Sequence, residues 1–162
     1  MKLSAKVLKY GDDISTDLII AGKHTKTLNL QDLALHAMED IDPEFGEKVK
    51  GGAFLVAGSY FGCGSSREQA PVALKEAGVV CVAAKSFARI FYRNAINIGL
   101  PLVECDTSNI REGDILEYEL GSNRIKVLNT GQEIEVTPLP DIMIEILKSG
   151  GITEYFKERG GF

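Results

Sequence analysis

The chain has 162 residues, of which 44% are hydrophobic and 25% charged, and a formal net charge of -5. That length suits one ordinary domain with a real core, and the composition is that of a soluble globular protein, which excludes disorder along the whole chain. The acidic balance argues against nonspecific nucleic-acid binding, and no apolar run reaches the about 18–20 residues that a bilayer span needs. Three cysteines, Cys63, Cys81 and Cys105, lack CxxC or Cys/His ligand spacing. Neither a disulfide framework nor a structural zinc site is expected, and a cytoplasmic protein with reduced thiols is the default.

The first seven residues alternate charged and apolar side chains, which reads as a strand and not as a signal peptide. Residues 6–10 form a short strand, and Gly11-Asp12-Asp13 marks its turn. Ile14, Leu18, Ile19 and Ile20 are core candidates, whereas Gly22 to Thr27 is polar, cationic and aperiodic, as in a mobile surface loop. Leu30, Leu33, Ala34 and Ala37 have helical spacing, predicting a helix over 30–38 with Pro43 just beyond it.

The apolar run at 53–57 predicts a buried strand that opens into the glycine-rich stretch 58–64. A helix is predicted over 66–77 with Gly78 as its C-terminal cap, then a strand over 79–84 and a helix over 86–98 stopped by Gly99 and Pro101. This order implies a parallel strand pair with a right-handed crossover. Residues 115–120 and 124–127 alternate around Gly121-Ser122-Asn123, a hairpin signal. Residues 139–147 read as a terminal helix, and 152–157 as its last turn after Gly150-Gly151. The fold class is α/β: one domain over 1–162, with a small parallel β-α-β unit and an antiparallel, β-rich C-terminal part.

Gly62-Cys63-Gly64-Ser65-Ser66-Arg67-Glu68 lies between a predicted strand and a helix start. Unpaired N–H groups and the helix dipole favour an anion there, glycines allow close backbone approach, and two hydroxyls and a guanidinium add directional contacts. An equally simple reading has Ser65 or Ser66 capping the helix, with Glu68 or Gln69 completing a capping box. A nucleotide P-loop is a weak alternative, because the Gly-Lys-Ser/Thr ending is missing. A serine hydrolase is weaker still: there is no G-x-S-x-G, and the only histidines are His24 and His36, the second an ordinary helix residue.

Gly64-Ser65-Ser66-Arg67-Glu68, preceded by the segment from Tyr10 to Asp17, resembles the small subunits of 3-isopropylmalate dehydratases, which correspond to the swivelling β/β/α domain of the aconitase superfamily. The stretches 84–95 and 97–101 look like that family's second signature, and Pro138-Leu139-Pro140 before a short helix is similar too. The resemblance covers nearly the whole chain. It implies a hydro-lyase that interconverts 2- and 3-isopropylmalate by dehydration and rehydration in leucine biosynthesis. Activity would require a large subunit, in a heterodimer or heterotetramer, whose [4Fe–4S] cluster acts as Lewis acid. This chain would bind no cofactor or metal itself.

Carried over by motif, Ser65 would be the base, Ser66 would orient it or bind substrate, and Arg67 would hold a carboxylate. Asp17 would have an orienting role. Substrate choice would reside in a mobile loop near 21–29, where relatives often carry Arg-Tyr-Leu and this chain has Lys23-His24-Thr25-Lys26-Thr27. Lys23, His24 and Lys26 are therefore substrate-binding candidates, and a cation there would suit the extra carboxylate of a homoaconitate-like tricarboxylate. In the second signature, Ser86 can cap a helix while Phe87, Ile90 and Phe91 pack its buried face. Arg89 and Arg93 are read there as interface or loop-bracing residues rather than catalytic ones. A nonenzymatic anion-binding module is the alternative of a different class.

Overall fold

The computed structural model describes residues 1–160. The alternating N-terminus is one strand, β1 (Lys2–Lys9), longer than predicted because its first half pairs antiparallel with β5 (Ile115–Glu119), and its second half parallel with β2 (Ala53–Val56). With β3 (Val79–Ala84), β4 (Leu102–Glu104), β6 (Arg124–Val127) and β7 (Gln132–Glu135), these strands form a seven-stranded sheet of order β4-β3-β2-β1-β5-β6-β7. The half from β1 to β4 is parallel and the rest antiparallel; the change falls at β5, later than the texture after Pro101 predicted, because β4 just past Pro101 still pairs parallel with β3.

The sheet's two edges meet. Cys105, just past β4, bridges to Val136, just past β7, and the Thr137 N–H donates to the Glu104 carbonyl at 2.9 Å. The sheet thereby curls into an incomplete barrel with few free edge groups. Every residue of β2 is buried, so neither of its faces meets water, whereas β5 and β6 keep an alternating pattern with one wet face.

The helices are α1 (Thr16–Ile19), α2 (Leu30–Leu35), α3 (Phe45–Lys48), α4 (Gln69–Ala77), α5 (Arg89–Asn97), α6 (Asp141–Ser149) and α7 (Ile152–Glu158). α2 packs on α4, α5 lies against α4 and α6, and α7 folds back onto α6. Several boundaries differ from expectation for local reasons. α2 stops at Leu35, and a left-handed Met38 (φ 60°) turns the chain so that its buried N–H reaches the Ile19 carbonyl at 2.8 Å. Ile152–Glu158 is a separate helix and not a last turn, because Gly150 (φ 96°) and Gly151 (φ 137°) reverse the chain ahead of it.

The stretch from Gly22 to Thr27 has more structure than an aperiodic loop. Gly22–His24 is a 3₁₀ turn, the Thr25 hydroxyl donates to the Gly22 carbonyl at 2.7 Å, and the Gln69 amide donates to the Thr25 carbonyl at 3.3 Å. At the other end of β1, the Tyr10 hydroxyl donates to Asp42 at 2.8 Å and Lys48 pairs with the same carboxylate at 3.0 Å, tying the α3 region to the sheet.

Candidate active site

The three chain segments that leave β1, β2 and β3 at their C-terminal ends lie side by side, the usual position for a site in a parallel sheet. They are laced together by backbone. The Asp13 N–H donates to the Ser59 carbonyl at 2.9 Å, the Gly62 N–H to the Ile14 carbonyl at 2.8 Å, and the Thr16 N–H to the Cys63 carbonyl at 2.8 Å. Across the other junction, the Phe61 N–H donates to the Ser86 carbonyl at 3.0 Å and the Ala88 N–H to the Phe61 carbonyl at 2.9 Å. Two acceptor side chains finish the lacing: Asp12 takes the Ser59 N–H at 2.7 Å and Ser86 takes the Tyr60 N–H at 2.8 Å.

Sterics hold the loop to this path. Gly62 has φ 83°, and a Cβ there would come within 2.3 Å of the Phe91 ring, so the backbone touches the aromatic cluster of Phe61, Phe87 and Phe91. At Gly58 a Cβ would fall on the Asp12 carboxylate.

Neither Ser65 nor Ser66 caps a helix. α4 begins only at Gln69, its N-cap Glu68 makes no side-chain capping bond, and both serines are exposed. Ser86 likewise does not cap α5, whose N-cap is Ala88; its hydroxyl braces Tyr60 instead. Of the three residues expected on the buried face of α5, Phe87 and Phe91 are buried, but Ile90 is 53% exposed. The serine that does cap is Ser15, which accepts the Leu18 N–H at the start of α1.

Ser65, Ser66 and Arg67 line one cleft of about 510 Å³, and Thr16, Arg89, Arg93 and Asn94 line it with them. In an acidic chain this cleft contains three guanidinium groups and no acidic lining residue, a charge balance that suits an anion. Arg67 is held from the side. One nitrogen pairs with Asp17 at 2.7 Å, another donates to the Ile20 carbonyl at 3.0 Å, and the guanidinium packs on Gly22. Asp17, with 69% of its side chain exposed, touches Arg67 by this ion pair and lies outside the lining of the cleft.

The buried Thr16 hydroxyl donates to the Ser65 carbonyl at 2.7 Å and so fixes the backbone on which the Ser65 side chain is mounted. Thr16, Arg89, Arg93 and Asn94 are the cleft residues that sequence reasoning did not select; the four-residue spacing of Arg89 and Arg93 put both on one helical face, but not on this one in particular.

The other substrate-binding candidates are placed differently. Lys23 and Lys26 are exposed and do not line the cleft. His24 is turned toward the end of α2, where its ring stacks on His36 at 3.6 Å. Cys63 is half-buried beside the loop, while Cys81 and Cys105 are buried, and among the described residues no set of three thiols converges. The residues present therefore do not fit an iron–sulfur cluster held by this chain.

Residues 13–107 match the aconitase C-terminal domain family. Over 159 residues the chain is 55% identical to the 3-isopropylmalate dehydratase small subunit of Halothermothrix orenii, covering 97% of this chain and 96% of that one. It is 53% identical over 153 residues to the 3-isopropylmalate dehydratase small subunit 1 of Methanopyrus kandleri, covering 93% and 90%. A crystal structure of 3-isopropylmalate dehydratase from Methanocaldococcus jannaschii superposes with a TM-score of 0.94 at 46% identity, covering 99% of this chain and 96% of that one. The aconitase X of Thermococcus kodakaraensis, at 16% identity and a TM-score of 0.50, shares the fold alone. By the shared domain and by identity over nearly its full length, the chain belongs to the aconitase C-terminal domain family, among the small subunits of 3-isopropylmalate dehydratases.

Proposed function

We propose that this chain is the small subunit of a 3-isopropylmalate dehydratase, a hydro-lyase, and that it supplies the proton-transfer and carboxylate-holding half of the active site. One observation supports this best: Ser65, Ser66 and Arg67 share an acid-free cleft with Arg89 and Arg93. A dicarboxylate needs two cationic clamps, and Arg67 from the serine loop with Arg89 and Arg93 from α5 can provide them. The names of the relatives imply a large subunit, and the lack of converging thiols here supports placing the [4Fe–4S] cluster on that partner.

In this reading Ser65 takes the proton from the carbon next to a substrate carboxylate. An isolated hydroxyl is far too weak a base for that, so its anionic form must be stabilised by neighbouring positive charge, which Arg67 supplies. Ser66 donates to substrate or steadies Ser65. Asp17 and Thr16 are positioning residues, one fixing Arg67 and the other the Ser65 backbone. Departure of the hydroxyl belongs to the partner's half of the site.

Lys23 and Lys26 lie outside the cleft lining, so this chain's loop presents no additional cation to a third carboxylate there. The names of the relatives favour the isopropyl substrate over a homoaconitate-like tricarboxylate.

The test is co-expression with a candidate large subunit, anaerobic cluster reconstitution and assay on a panel of hydroxyacids. Ser65→Ala is expected to assemble normally and lose turnover by at least about 100-fold, the scale of a lost general base. Wild-type activity in that complex would remove Ser65 from catalysis.

A further inference from the structure

His24, His36 and Glu39 form a cluster away from the cleft, with one donor atom from each within 4.8 Å of the others. Glu39 spans the pair: one carboxylate oxygen lies 2.9 Å from His24 Nε2 and the other 2.9 Å from His36 Nδ1. The two rings are stacked at 3.6 Å and nearly parallel, at 4°. The His36 contact has hydrogen-bond geometry, whereas His24 Nε2, shielded from solvent, has no hydrogen-bond partner despite its closeness to Glu39. A carboxylate that faces two imidazoles is thus properly bonded to only one, and a buried nitrogen is left without a correctly aligned partner.

We propose that His24, His36 and Glu39 bind a late first-row divalent metal ion of the Zn²⁺ or Co²⁺ class, stapling the turn at residues 22–24 to the end of α2. Two imidazoles and a carboxylate form a three-ligand set that such ions take, leaving a position for water or an anionic ligand. Ligand bonds of about 2.0–2.2 Å around a tetrahedral ion put donor atoms roughly 3.3 Å apart, so the 2.9 Å contacts adjust by a few tenths of an ångström and the widest pair, within 4.8 Å, by at most roughly 1.5 Å. A tilt of one ring out of the stack brings its lone pair onto the ion, and the metal then satisfies the nitrogen that Glu39 leaves unpaired.

Burial works against ionisation of Glu39, but its hydrogen bond with His36, reinforced by His24, holds its carboxyl below the usual range. A shallow pocket of about 270 Å³ opens beside the histidines, giving an ion a route in. Asp32, in the same pocket, adds negative charge; Lys23 opposes it but is exposed and free to turn toward solvent. The ion is separate from the reaction of the cleft. Its effect is on the loop, because residue 24 becomes tied to residues 36 and 39 by coordination bonds in place of one ring stack and one close contact with the Glu39 carboxylate.

The full-length chain, stripped with a chelator, is titrated with Co²⁺ and then with competing Zn²⁺. Binding at these residues gives ligand-field bands of four- or five-coordinate Co²⁺ at one ion per chain. His36→Ala and Glu39→Gln are expected each to weaken binding by at least about 10- to 100-fold, while Cys63→Ser, which removes the accessible thiol, leaves it unchanged. Zn²⁺ should also protect His24 and His36 of the unaltered chain from diethyl pyrocarbonate, a readout independent of whether the variants fold. Absence of the bands, wild-type binding by both His36→Ala and Glu39→Gln, or unchanged modification of His24 and His36 would each overturn the proposal.

Discussion

Thr16→Val tests whether the cleft depends on how the Ser65 backbone is held. Valine keeps the shape of the side chain, so no cavity opens at this 3%-exposed position, and only the 2.7 Å bond to the Ser65 carbonyl is lost. A hydroxyl-to-carbonyl hydrogen bond contributes about 0.5–1.5 kcal/mol net. Because Ser65 is exposed, its carbonyl can turn to water, which keeps the cost near the middle of that range, at about 1 kcal/mol. Folding therefore survives. Turnover is more sensitive: freeing the carbonyl allows the Ser65 loop to drift by roughly 1 Å, and a misplacement of that size costs about 100-fold in rate. Urea denaturation of the chain and kcat with the large subunit separate the two effects, and Thr16→Ser, which keeps the hydroxyl, should restore most of the activity. A Thr16→Val complex with kcat within twofold of wild type, alongside the expected stability loss, would refute the argument that this bond positions Ser65.

Gly62→Ala combines left-handed strain, about 1–2 kcal/mol, with an overpacked Phe91 contact, about 1–3 kcal/mol. The expected loss is roughly 2–5 kcal/mol in urea, and a loss under about 1 kcal/mol would show the loop to be pliable. Iodoacetamide at pH 8 should label Cys63 alone in the native chain: Cys81 is fully buried, and burial, with the charge of Asp106, pushes the Cys105 thiol up to about 11. Equal labelling of all three thiols before denaturation would contradict the core packing around β3 and β4. Burial opposes ionisation of Asp42, yet the hydrogen bonds from Tyr10, Lys48 and the Glu44 N–H hold its carboxyl below the ordinary value. Its contribution is accordingly complete above the unfolded value of about 3.9 and lost as pH falls through the lower folded one; Asp42→Asn should flatten that acid limb in pH-dependent denaturation, and an unchanged limb would contradict it.

The strands of the parallel half were legible because continuous apolar runs such as residues 53–57 and 79–84 have few alternatives once glycines bound them. The hairpin at 115–127 was legible from its alternation. β4 and β7 were not, since three- and four-residue edge strands are made by their neighbours and by the Cys105–Val136 closure, not by local pattern.

The starts of α4 and α5 were misplaced for different reasons. Pro71 lacks an N–H, so it belongs in a first turn, and a helix beginning at Ser66 would have put it a turn too deep; that signal was in the sequence. At α5, residues 86–88 look helical in composition but are spent on the parallel bridge between Phe61 and Phe87, which only the tertiary fold reveals. For the site, Ser65, Ser66, Arg67 and Asp17 came from motif. The convergence of Arg89 and Arg93 on the same cleft needed the lacing of three loops that lie up to some seventy residues apart in sequence.

Position and charge together argue that this half-site is made to be closed by another surface. Its serines are exposed at the mouth of an open cleft, where water competes for every hydrogen bond that would support an anionic Ser65. Three arginines lower the cost of that anion only when solvent is excluded, since in water each pair is worth about 1 kcal/mol or less. The chain's own architecture does not exclude it. The segments after β2 and β3 pack through the ring cluster of Phe61, Phe87 and Phe91, two of which also line the cleft, while Ser65 and Ser66 stay exposed. Well-packed segments carrying exposed serines are what the proposed loop requires if its basicity is to appear only on assembly. On the proposed reading, the partner therefore does two things at once: it brings the Lewis acid and it removes the water that keeps Ser65 an ordinary alcohol.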